Sequence, residues 1–108
     1  VILTSGKIPP NPAEMLASKA MTKLIENLKE NFHYIILDTP PVQAVTDSQI
    51  LSTKADGTIL VVKAQETKKE SIKNAIGLLR KVNANILGIV LNEVEASKEN
   101  YYYYSGDK

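Results

Sequence analysis

Tyr34-Ile35-Ile36-Leu37-Asp38-Thr39-Pro40-Pro41 is the stretch on which the fold turns. Its apolar run delivers one aspartate to a Thr-Pro-Pro turn. A continuous apolar run of this kind reads as a strand buried on both faces of a parallel sheet, so its last residue emerges at the edge where such sheets place ligands. Pro40 and Pro41 restrict the backbone there, and the residue before each proline is pushed away from helical conformation. An aspartate at that edge is a candidate ligand for Mg²⁺, which keeps most of its waters and takes one or two carboxylates together with substrate phosphates.

In phosphate-transferring ATPases an element of this form is called Walker B, and the backbone after the acid turns beside the nucleotide. Pro40 occupies that position. The plainer alternative is that Asp38 caps the turn or the following helix, since short motifs match by chance.

Working outward, 108 residues with 44% hydrophobic and 23% charged content describe one globular domain able to bury a core. The formal net charge of +1 gives no case for a nucleic-acid partner. No cysteine is present, so disulfides and thiolate metal sites are excluded. The longest apolar runs are far too short to span a bilayer, so work at a membrane is expected to depend on another chain.

Helix starts carry a shared signature. Asn11 to Glu14, Thr46 to Gln49 and Thr67 to Glu70 each place a capping side chain three residues before Glu or Gln. Pro12 stands at a first helical position, where its missing N–H costs nothing. Ala17, Ala20, Met21, Leu24, Ile25 and Leu28 then predict one helix to about Asn31, and Ile72, Ala75, Ile76, Leu79 and Val82 predict another. The helix near Asp47 to Ser52 is expected to be short. Between helices, β-branched runs predict strands at Tyr34–Asp38, Thr58–Lys63 and Ile86–Asn92, with a stub at Val1–Thr4. Strands alternating with capped helices imply an α/β fold, a parallel β-sheet with flanking helices. Asp56-Gly57 marks a turn into a strand, and Gly88 inside the last strand predicts close packing there.

Two segments remain. Ser5 to Pro12 is a proline-stiffened loop, which suits either a rigid strand-to-helix connection or the wall of a substrate pocket. Residues 96–108 lack periodicity and contain Tyr101-Tyr102-Tyr103-Tyr104, so a domain over 1–95 is expected to be followed by a mobile, Tyr-rich tail. Four adjacent phenols fit poorly in a packed interior, where each hydroxyl needs a partner. Such a tail is either a functionless terminus or an arm whose phosphorylation would add about −1.5 to −2 charges per tyrosine.

GKIPPNPAEML at Gly6–Leu16, IILDTPP at Ile35–Pro41, TILVV at Thr58–Val62, GIVLN at Gly88–Asn92 and the tyrosine cluster together resemble the bacterial tyrosine kinases of capsule and exopolysaccharide systems. The resemblance covers the whole chain and corresponds to the C-terminal part of the family's catalytic domain. It implies a P-loop NTPase-like fold related to the partition and division-site ATPases. It also implies ATP and Mg²⁺ as cofactors, with Asp38 as catalytic metal ligand, Asn92 near the adenine base and Pro40 beside the nucleotide. Pro9, Pro10, Asn11 and Pro12 would form a loop near the substrate tyrosine, and Tyr101 to Tyr104 an autophosphorylation cluster. The implied partners are a transmembrane adaptor, which supplies activation and a cytoplasmic membrane address, and other copies of the chain in a ring that phosphorylates its tails in trans. The alternatives are a partition-type ATPase fragment and a non-enzymatic regulator.

One motif departs from the pattern. The sequence contains no Gly-x-x-x-x-Gly-Lys-Ser/Thr loop to cradle phosphates. The chain is therefore expected to be part of a larger catalytic unit, and not to transfer phosphate by itself.

Overall fold

The computed structural model describes residues 1–95, ordered α1 (Pro12–Leu16), α2 (Lys19–Asn31), α3 (Asp47–Ser52), β1 (Thr58–Lys63), α4 (Lys69–Lys81) and β2 (Ile86–Asn92). β1 and β2 pair in parallel, from Thr58 opposite Ile86 to Lys63 opposite Asn92, with one irregularity between Thr58 and Ile59. A parallel pair needs a crossover, and α4 supplies it. Thr58, Leu60 and Val62 turn inward along β1, and Val62 packs in a small core with Ala75 and Leu79 of α4, Leu51 of α3 and Ile25 of α2. The parallel sheet with flanking helices is the α/β architecture expected.

Two expected strands are absent among the described residues. Tyr34–Asp38 has alternating burial, with Ile35 and Leu37 half-buried while Tyr34 and Ile36 are 90% and 92% exposed, but it joins no ladder. Burial on both faces was expected, and the observed pattern is the alternation of a segment covered on one side. The physical reason is pairing: β1 shares its ladder with β2, and an open groove separates β1 from Leu37–Gln43. Val1–Thr4 is likewise exposed and unpaired.

The helix starts also differ in detail. The helix expected from Pro12 to Asn31 breaks at Ala17-Ser18, because Ser18 caps α2 by accepting from Met21 N–H at 3.2 Å while its hydroxyl donates to the Met15 carbonyl at 2.6 Å. At α1, Asn11 donates to the Glu14 carboxylate at 2.9 Å instead of capping backbone. Gln49 does not close a box with Thr46; its amide donates to the Leu78 carbonyl at 2.9 Å, a bridge from α3 to the last turn of α4. Lys68 holds the N-cap position of α4, and Thr67 accepts instead from Lys63 N–H. α4 ends in a Schellman motif, with Asn83 left-handed at φ 55°, Asn83 N–H donating to Arg80 and Ala84 N–H to Leu79.

The close approach expected at Gly88 occurs at Gly57. A Cβ on Gly88 would meet nothing within 4 Å, whereas one on Gly57 would run into the Leu87 side chain. The Asp56-Gly57 turn is held by Asn85, whose amide donates to the Asp56 carbonyl at 2.8 Å.

Candidate functional site

Asp38 and the C-terminal ends of β1 and β2 open on the same edge. They rim a groove of about 580 Å³, walled by Leu37–Gln43 on one side, the length of β1 on another, and Ser71, Ile72, Ala75 and Leu79 of α4 below. Asp38, Pro40 and Asn92 all line it, so the Asp38–Pro40 turn and Asn92, more than fifty positions away, converge where a parallel sheet presents its strand ends.

The turn after Asp38 is pinned from α3. The buried Ser48 hydroxyl donates to the Pro40 carbonyl at 2.5 Å and lies 3.0 Å from Thr39 Oγ1. Pro40 and Pro41 exclude helix for the residues before them, and Ser48 fixes which extended path the chain takes. Pro41 O then accepts from Ala44 N–H at 3.0 Å, closing the turn toward α3.

The groove is also lined by residues at and just after the ends of the paired strands, Lys63, Thr67, Asn92 and Glu93. Ala64 N–H donates to the Asn92 carbonyl at 2.8 Å, continuing the ladder one step past Lys63. Lys63 Nζ lies 2.9 Å from Glu66 and 3.3 Å from Glu93. Sequence reading missed Lys63, Ser48, Thr67 and Glu93. Lys63 and Glu93 each directly follow or end a β-branched run, which was the available signal; the pairing of Ser48 with Pro40 had none.

The residues fit a hydrated Mg²⁺ and not a cage. Among the described residues no cluster of three or more His, Cys, Asp or Glu could hold a metal. Among the described residues the carboxylates in ion pairs are Asp56, Glu66 and Glu93, and Asp38 is in none of these pairs. One such carboxylate on a groove wide enough for phosphates is the donor set that Mg²⁺ accepts from a protein.

Pro9, Pro10, Asn11 and Pro12 do not line this groove; Pro9 is half-buried, the others are exposed, and α1 lies against α3. Tyr101 to Tyr104 lie outside the described residues. A second, smaller hollow of about 170 Å³ sits between α2 and the Lys54–Asp56 turn, where Lys29 pairs with Asp56 at 3.2 Å.

A ParA family model, described as NUBPL iron-transfer P-loop NTPase, matches residues 13–102. The chain is 43% identical over 107 residues to the tyrosine-protein kinase YwqD of Bacillus subtilis, across 99% of this chain and 45% of that protein. It is 38% identical over 104 residues to the tyrosine-protein kinase CpsD of Streptococcus agalactiae, across 96% of this chain and 45% of that protein. The crystal structure of the VpsO kinase domain superposes with a TM-score of 0.80 at 34% identity, over 86% of this chain and 46% of that one. The chain thus spans about half the length of the relatives it matches. It belongs to the ParA family of P-loop NTPases, and its relatives over nearly its whole length include bacterial tyrosine-protein kinases.

Proposed function

We propose that the chain is the metal-binding and base-contacting part of an ATP-dependent bacterial protein-tyrosine kinase that controls capsule or exopolysaccharide synthesis and export. The observation that carries this reading is the convergence of Asp38, Pro40 and Asn92 on one groove at the strand ends. The tyrosine-kinase names of the relatives support it.

In this reading Asp38 holds Mg²⁺ through its carboxylate, and the chemistry a bound Mg²⁺ supplies is neutralisation of charge on the phosphates. Pro40 lets the backbone pass beside the nucleotide, and Asn92 contacts the base. Pro9, Pro10, Asn11 and Pro12 form a substrate loop on the α3 side of the molecule. Tyr101 to Tyr104 are the phosphorylation sites, reached in trans from another copy in a ring-like homo-oligomer. A transmembrane adaptor activates the kinase and keeps it at the cytoplasmic face of the membrane; among the described residues no helix is long and apolar enough to cross one. Because the sequence lacks a phosphate loop, the chain alone does not transfer phosphate.

The test is Asp38→Asn in the complete gene product. Loss of Mg²⁺-dependent tyrosine phosphorylation by about 10²-fold or more is expected, the scale on which removing one electrostatic stabiliser acts. An unchanged rate and Mg²⁺ dependence would remove Asp38 from the metal site. The ParA match favours one second reading, a partition-type ATPase that switches oligomeric state with nucleotide. Mass spectrometry of the protein from its native cell separates the two, since phosphate on Tyr101 to Tyr104 belongs to the kinase reading only.

A further inference from the structure

Both turns that follow the paired strands contain a left-handed residue that is not glycine. Gln65, after β1, has φ 64°, and Glu93, directly after β2, has φ 56°. A residue with a Cβ enters this region at a cost and stays there where its surroundings hold it. The restraints here can be named. Lys63 N–H donates to Thr67 Oγ1 at 3.1 Å, and Thr67 N–H returns to the Lys63 carbonyl at 3.1 Å, which locks the turn around Gln65. The Lys63 ammonium then reaches Glu66 within its own turn at 2.9 Å and crosses to Glu93 at 3.3 Å. Asn92 is caught between these ties, its carbonyl bound by Ala64 N–H and its neighbour Glu93 bound by Lys63.

We propose that Lys63 is a positioning residue that sets base selectivity: by binding Glu93 it fixes the backbone leaving β2, and with it the direction in which Asn92 meets a nucleotide base. This rests on the nucleotide-site reading of the groove. The Lys63 side chain is 43% exposed and that of Glu93 59%, and exposed ion pairs add little to stability. The bridge therefore matters for direction more than for holding the fold. A side chain that reads a base edge by hydrogen bonds is sensitive to that direction, because a misaligned amide leaves the partner's polar groups unpaired.

The experiment uses the complete gene product and three probes: ADP, GDP and inorganic tripolyphosphate, which carries the phosphate chain without a base. Lys63→Met keeps the aliphatic stem and removes the charge. It is expected to weaken ADP by up to about fivefold, the most that an exposed ion pair can set, and to narrow the preference for ADP over GDP. Tripolyphosphate binding stays unchanged. Glu93→Gln moves ADP in the same direction, adds nothing when combined with Lys63→Met, and carries the test if Lys63→Met does not fold. Lys63→Arg restores the preference. An ADP-to-GDP preference that survives both Lys63→Met and Glu93→Gln overturns the proposal, as does an equal loss of tripolyphosphate, which would make Lys63 a direct phosphate contact. A wild-type protein that binds none of the probes overturns the nucleotide-site reading and this proposal with it.

Discussion

The Ser48 hydroxyl sits buried between the start of α3 and the Thr39-Pro40 turn, and its bond to the Pro40 carbonyl sets the backbone path just after Asp38. Removing it leaves a carbonyl in a part-buried place without its donor. We predict that Ser48→Ala lowers unfolding free energy by about 1–2 kcal/mol, the range for a lost buried hydrogen bond. A urea midpoint equal to wild type would show that the bond does not hold the turn. Asp38 illustrates what was legible at this scale. Its place at the end of an apolar run, before two prolines, was readable from order and residue type alone, although that run forms no strand. Ser48 was not, because the serine that meets Pro40 is chosen by how α3 folds back, and a two-proline turn followed by a helix leaves several serines and threonines within reach.

At the scale of elements, the helix ends carry the specific chemistry. Asn83 occupies the left-handed position that closes α4 and redirects the chain toward β2. A β-branched side chain there meets its own carbonyl. Asn83→Val is predicted to destabilise by about 1–2 kcal/mol, and Asn83→Gly to leave thermal unfolding close to wild type. If Asn83→Val melts with the wild type, the αL closure is not what ends α4. Ser18 is the second such point, since it separates α1 from α2. Loss of its cap in Ser18→Ala should cost about 1 kcal/mol, and amide exchange at Met21 should rise; unaltered exchange at Met21 would argue that Ser18 is incidental. The hydrophobic period marked both long helices, but the period continues through Ala17-Ser18. A break that keeps the apolar stripe in phase is invisible to periodicity, and only the competing serine bonds reveal it.

For the whole molecule, the sheet is the open question that structure answers physically. Ile59, Val61 and Leu87 are each more than half exposed, and Tyr34 and Ile36 almost wholly so. Apolar faces and unpaired strand edges of this kind seek partners. We predict that the isolated chain self-associates in sedimentation velocity at micromolar concentration, and that Val61→Lys shifts it toward monomer. A monomeric wild-type chain that binds no hydrophobic dye would refute this.

The sequence by itself determined the two paired strands, the crossover helix between them, the parallel α/β class, the Asp38-Thr39-Pro40-Pro41 turn and the resemblance to tyrosine kinases, because these rest on local propensity and motif. Tertiary structure alone decided that Asp38, Pro40 and Asn92 share one groove while Pro9 to Pro12 stand apart from it, and that Lys63 binds the residue after Asn92. It also decided that Tyr34–Asp38 forms no ladder. The reason is common to all three: an apolar run specifies that a segment is extended, but a ladder, a rim or an ion pair exists only where a second segment, remote in sequence, arrives within hydrogen-bonding distance of the first.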